Sequence, residues 1–245
     1  MIIFLAVSCG IEDYPYIHSI PTDKVTQVLN SRISIDIPGD NSGNLFFTNY
    51  IIFYRIYISN IDNESPTSDT DFSQINSALY NDHMRIKPYI GNDSMGSSSI
   101  ASIFRNLKYY TLSIEGGSID SILSKSNSIF NKKLIIDFTR ESENQTIPFL
   151  TIGSGTRYNL LRYSGGGDYV TKPDIPYFIN SLELLDEANI EDSYFNGDIT
   201  DKSGVDRKNT YVNMYIVASG LDSQTFVQLY SSPTHIGVLR LADPF

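Results

Sequence analysis

Gly91-Asn92-Asp93-Ser94 sets a serine behind an aspartate at a glycine turn, the kind of block that presents a nucleophile in serine hydrolases. Such a serine needs a base poised on it, usually a histidine oriented by a carboxylate. No Asp-x-x-His occurs late in the chain, and His235 directly follows a Pro-Thr strand start. A loop serine is therefore expected. Gly153-Ser154-Gly155-Thr156 lacks the lysine and the long following helix of a phosphate cradle, and reads as a hairpin turn. Asp198, Asp201 and Asp206, with Gly204 among them, offer oxygen ligands for calcium, but not at the alternating spacing of an EF-hand loop. They stand as the candidate metal ligands beside the simpler reading of a solvated acidic loop. Asp62, Glu64, Asp69 and Asp71 form a second acidic loop, read as the start of a helix. Arg55 lies inside an apolar run, where an unpaired charge is costly to bury, so a structural ion pair with a carboxylate is expected. His18, His83 and His235 lack the spacing on one helix that zinc sites often show. No cofactor, metal site or catalytic set is assigned.

The single cysteine, Cys9, excludes an intrachain disulfide. It ends a short apolar run, and Ala6-Val7-Ser8-Cys9 fits a bacterial lipobox, in which small residues precede a lipid-modified cysteine. On that reading residues 1–9 are a truncated lipoprotein signal and the chain is anchored by lipid rather than spanning the membrane. The first eight residues carry no charge where a signal peptide has a basic region. The competing reading makes 1–7 an edge strand with a buried thiol.

The elements that must position these groups centre on Asn49–Ser59. Tyr50, Ile52, Tyr54, Ile56 and Ile58 would point to one face of a strand, and Ile51, Phe53, Arg55 and Tyr57 to the other. A strand apolar on both faces is central and covered on both sides. Its best partner is far away, at Tyr211–Ala218. Further strands are expected over Arg32–Ile37, Tyr109–Ile114, Leu134–Thr139, Phe149–Ile152, Tyr158–Tyr163, Phe226–Leu229 and Ile236–Leu241. A short helix capped by Asp69 or Thr70 would carry Phe72, Ile75 and Leu79, a second would carry Ile100, Ile103, Phe104 and Leu107, and Ile119–Leu123 one helical turn. Asn81–Ser99 reads as loop, with Pro88, Gly91 and Gly96 interrupting any period. The expected organisation is a tether over 10–27, then a mainly-β sandwich over 28–245 with a helix-containing lobe inserted at about 60–205.

The 245 residues, 41% hydrophobic, suffice for one large domain or two small ones. A net charge of −10 with lysines and arginines scattered disfavours nucleic acid as a partner. No apolar run approaches the roughly 18 residues that a membrane-spanning helix requires.

Tyr-x-Ile-x-Tyr at Tyr50–Tyr54, and Tyr211–Ala218 followed by Gly220 and Ser231-Ser232-Pro233-Thr234, resemble the mid-domain and late strands of the fibronectin type III or immunoglobulin sandwich. Phe47–Tyr57 and Tyr211–Leu241, the latter containing Val217-Ala218-Ser219-Gly220-Leu221-Asp222 and Tyr230 to Val238, resemble a group of spirochaete lipoproteins of the Treponema type. The resemblance implies anchoring at the surface or in the periplasm and carries no catalytic residues. The function expected is a non-enzymatic lipoprotein of the cell envelope, held to the membrane through Cys9 and binding a protein or polysaccharide. A hydrolase of envelope or host polymers, and a purely structural envelope component, are the alternatives. A cleft of converging polar groups would mark the hydrolase, and an exposed apolar patch the binding module.

Overall fold

The computed structural model of the chain describes residues 16–29, 31–92, 97–138, 148–161 and 209–241. Its strands are β1 (Val25–Leu29), β2 (Arg32–Asp36), β3 (Phe47–Ser59), β4 (Tyr110–Thr111), β5 (Ser113–Ile114), β6 (Lys133–Asp137), β7 (Phe149–Ile152), β8 (Arg157–Leu161), β9 (Asn209–Leu221), β10 (Gln228–Tyr230) and β11 (Thr234–Arg240). The helices are α1 (Asp69–Ile75), α2 (Ser77–Ile86), α3 (Ser97–Asn106) and α4 (Ile119–Ile122). The fold is mainly β and antiparallel.

β3 and β9 pair along their whole length, from Phe47 against Gly220 to Ser59 against Asn209. The partner expected from sequence is the one found. β4 flanks β3 on one side, and β10 and β11 share the far side of β9. The second sheet runs in the order β1-β2-β6-β7-β8-β5. Between the sheets lie Tyr50, Ile52, Tyr54, Ile56 and Ile58 of β3 and Val212, Met214, Ile216 and Ala218 of β9. They pack with Ile33, Ile35, Leu134, Ile136, Leu150 and Leu160 of the opposite sheet. Each valine, leucine, isoleucine or methionine among them, fully withdrawn from water, contributes about 1.5–3 kcal/mol.

The opposite face of β3 and β9 is roofed by helices, which completes the two-sided cover that the sequence predicts. Ile100 and Phe104 of α3 pack on Phe53, Tyr215 and Val217, with the Phe53 and Phe104 rings stacked at 4.3 Å. Phe72, Ile75 and Leu79 pack on Tyr57, Tyr211 and Val238. These three do not share one helix. Asn76 breaks the run, its side chain accepting from the Ala78 and Leu79 amides to cap α2 while donating to the Ile58 carbonyl at 2.9 Å. The cap of α1 is Ser68, in a reciprocal box with Asp71, rather than Asp69 or Thr70.

Several expectations are corrected. The tether expected over 10–27 is part of the fold from Tyr16 onward: Ile17 and Ile20 are buried, and β1 begins at Val25. The Asn41 side chain grips the His18 backbone from both sides, accepting from its N–H at 3.0 Å and donating to its C=O at 2.8 Å. Residues 81–86, read as loop, continue α2. Leu79, His83 and Ile86 are its buried stripe, and counting His83 as polar hides the period. The strand expected over Tyr109–Ile114 divides at Leu112, with β4 pairing to β3 and β5 to β8. The chain thereby passes from one sheet to the other, and the two curl together along that edge. The segment expected as an inserted lobe supplies β4 to β8 and so is built into both sheets.

Candidate functional site

Under the roof of α1 and α2, polar side chains from both long strands meet a set from the helices. Arg55 of β3 donates through Nη1 to Asp82 Oδ2 of α2 at 2.7 Å and also to the Leu107 carbonyl. The ion pair expected for Arg55 is thus present, with both side chains about nine-tenths buried. Tyr57 donates its hydroxyl proton to the same Asp82 oxygen at 2.7 Å. Tyr109 lies 3.0 Å from Tyr57, and because Tyr57 has given its proton to Asp82, Tyr109 is the donor there. Asn213 Nδ2 of β9 donates to Tyr109 at 2.9 Å, and its Oδ1 lies 2.9 Å from His235 Nε2 of β11. Every bond in this chain has one consistent direction, from the His235 N–H to the Asp82 carboxylate.

A second branch begins at Tyr215, whose hydroxyl lies 2.8 Å from His83 Nδ1. His83 Nε2 faces Asp69 Oδ1 at 3.5 Å, and Asp69 also pairs with Lys87. Tyr215 therefore donates to Nδ1, leaving the proton of a neutral ring on Nε2 toward Asp69. The His83 and His235 rings are 4.8 Å apart, and Phe72 stands edge-on to both.

Burial dominates the acid–base behaviour. It raises the Asp82 carboxyl, outweighing the Tyr57 hydrogen bond and the Arg55 charge that pull the other way. It raises Tyr57, Tyr109 and Tyr215, holding the phenols neutral. It lowers His83 against the pull of Asp69, and lowers His235 to about 3 with the nearby His83 adding to the effect. Both imidazoles are neutral in the fold. A group whose folded value is depressed binds its proton more readily when unfolded, so its stabilisation is present above the unfolded value and lost as pH falls. For His235 stability should therefore fall as pH drops from about 6.5 toward 3, by up to about 1.4 kcal/mol per pH unit, and His83, lowered as well, adds a loss of the same sign. Asp82, raised above its ordinary value, works in the opposite sense and blunts the loss above its unfolded value. Urea midpoints taken from about pH 7 to about pH 5 should decline. They should decline less in His235→Gln, whose amide can donate to Asn213 but does not titrate.

Chemically, this arrangement fastens the helical layer to the sheet. Among the described residues no group of three or more histidine, cysteine, aspartate and glutamate side chains is disposed to hold a metal. A cleft of about 310 Å³ lies on the helical side, lined by Arg85, Tyr89, Ile103, Asn106 and Leu107. At one end of the sandwich a separate apolar set is exposed, with Leu45 91% and Phe226 79% accessible.

The residues singled out in the sequence fall elsewhere. Cys9, and the candidate metal ligands Asp198, Asp201 and Asp206, lie outside the described residues, as do Asp93 and Ser94. Gly153-Ser154-Gly155 is the turn between β7 and β8, with Gly153 at φ +60°. In the acidic loop, Asp62 pairs with Arg240 at 3.1 Å, and Asp69 and Asp71 occupy the first turn of α1. His235, weighed in the sequence as a triad base and as a zinc ligand, is instead a terminus of the hydrogen-bonded chain. His83 is weighed in the sequence only for zinc, and Asp82, Tyr109, Asn213 and Tyr215 are not singled out there. Asn213 offers the one legible signal, an amide inside an otherwise apolar strand that must find partners. Among the described residues, no helix is long and apolar enough to cross a membrane. In comparisons with protein-family models, curated proteins and solved structures, the chain finds no match.

Proposed function

We propose that this chain is a lipid-anchored, non-enzymatic interaction protein of the cell envelope, of the spirochaete lipoprotein type, held to the membrane at Cys9. The observation that carries the non-catalytic reading is the closure of the polar network. Asp82, Tyr57, Tyr109, Asn213 and His235 bond to one another beneath the helices, so these groups already serve the fold. A protein or polysaccharide partner would meet the helical layer, where Arg85, Tyr89 and Asn106 line the cleft with mixed polar and aromatic surface. The sheet order β4-β3-β9-β11 supports an immunoglobulin-like or fibronectin III-like ancestry, since it parallels the C′-C-F-G sheet of such sandwiches. The second sheet and the helical roof are elaborations on that frame.

The test is fatty-acid labelling in cells of the full gene product, including anything encoded upstream of Met1, with Cys9→Ser beside it. Label and membrane association are expected in the wild type and should both vanish in the variant. An unlabelled wild type that fractionates away from membranes would remove the anchor from this reading.

A further inference from the structure

We propose that the end of the sandwich bearing Leu45, Phe226 and Val227 is a membrane-contacting surface that seats on the lipid to which Cys9 is attached. This deepens the anchored reading and rests on it for the orientation of the protein. The exposed residues gather at one end because of strand pairing. Phe47 opposes Gly220, and Leu221 donates to the Phe46 carbonyl at 2.9 Å, which brings the stretch before β3 beside the β9–β10 turn. That stretch carries Leu45, and the turn carries Phe226 and Val227, which is 49% accessible.

The turn is built to hold this display. Asp222 donates its N–H to the Val227 carbonyl at 3.0 Å, and Phe226 donates to the Asp222 carbonyl at 2.7 Å. The Asp222 carboxylate accepts from the Gln224 amide at 2.9 Å and from the Thr225 hydroxyl at 2.5 Å. Phe226 itself stands at φ +57°, a conformation costly for a bulky side chain and sustained only by surrounding structure. A strained, hydrogen-bonded turn that holds a phenylalanine in water points to a use for that ring outside the fold.

The chain's own path argues for lipid as the occupant. Tyr16, the first described residue, is fixed at this same end, where Asn44 donates to its carbonyl at 2.6 Å. Ile17 lies against Gly220. Cys9 is seven Cα steps further back, a span of at most about 25 Å, so a lipid on its sulfur keeps this end close to the bilayer. The net charge of −10 gives no electrostatic attraction to anionic lipid, so apolar insertion is the mode of contact, as for a peripheral anchor.

The chain contains no tryptophan, so Phe226→Trp introduces a single indole, and Ile61→Trp places a control at the other end of β3. The full chain is coupled through Cys9, its only thiol, to a maleimide-bearing lipid in phosphatidylcholine vesicles, so seating is tested without reliance on cellular acylation. The indole at position 226 should shift to shorter wavelength and lose most of its emission to lipids brominated on their acyl chains. The indole at position 61 should do neither. Equal and water-like emission at the two positions would overturn the proposal, with circular dichroism establishing that both variants are folded. Quenching at position 226 in a chain that cells fail to acylate would keep the seating surface and remove only the biological anchor.

Discussion

Replacing Asp82 by alanine should lower the unfolding free energy by about 3–5 kcal/mol, the effect of breaking a buried ion pair from one side. One carboxylate oxygen accepts from both Arg55 and Tyr57 at 2.7 Å, and both ion-pair side chains are shielded from water. Without it Arg55 keeps the Leu107 carbonyl, but its Nε already lacks a partner, so a buried guanidinium is left nearly unanswered. Against a total stability of about 5–15 kcal/mol, that loss moves the urea midpoint far. The double variant Arg55→Met with Asp82→Leu should recover most of it, because removing both charges also removes the desolvation penalty. A loss below about 1 kcal/mol in Asp82→Ala would mean that the network contributes little to holding α2 on the sheet.

Gly220→Ala should be comparably damaging for a steric reason. A Cβ at this position would stand 2.1 Å from the Phe46 carbonyl oxygen and 2.4 Å from Ile17 Cδ1. The isoleucine could turn aside, but the carbonyl is held by the hydrogen bond from Leu221 and by the strand pairing next to it. The substitution must therefore open the start of the β3–β9 ladder and displace Ile17. Overpacking of a core typically costs about 1–3 kcal/mol, and a clash with fixed backbone belongs at or above the top of that range. Thermal unfolding gives the total. Limited proteolysis should show new cleavage near residues 16–20, and an unchanged cleavage pattern would show that the clash is absorbed elsewhere.

The central ladder was legible because two-sided burial leaves a plain mark. Tyr50 to Ile58 and Tyr211 to Ala218 are the chain's two densest apolar strands, and they found each other. The turn marked by Gly153 was equally readable. Tertiary partners were not. Asn41 fastens His18 through a side chain 23 positions away, so nothing local marks Tyr16 to Ile20 as folded. Leu112 changes sheets because β3 and β8 each claim half of its strand. The polar network joins residues from β3, α2, β9 and β11, and each alone reads as an ordinary helix or strand residue. Arg55 and Asn213 were the exceptions, since a charge or an amide in an apolar strand announces that it needs a partner.

The pairing of β3 with β9 also sets a schedule. Thr48 hydrogen-bonds to the carbonyl of Ser219 across 171 positions of chain. Closing so long a loop is entropically unfavourable and gives the fold a high contact order, which slows folding. A chain emerging from its N-terminus displays β3, apolar on both faces and without its partner, until β9 and β11 arrive. Such an unpaired strand invites association with other chains. β3 therefore stays without its long partner through most of the chain's synthesis, and that vulnerable interval ends only once β9 has been made.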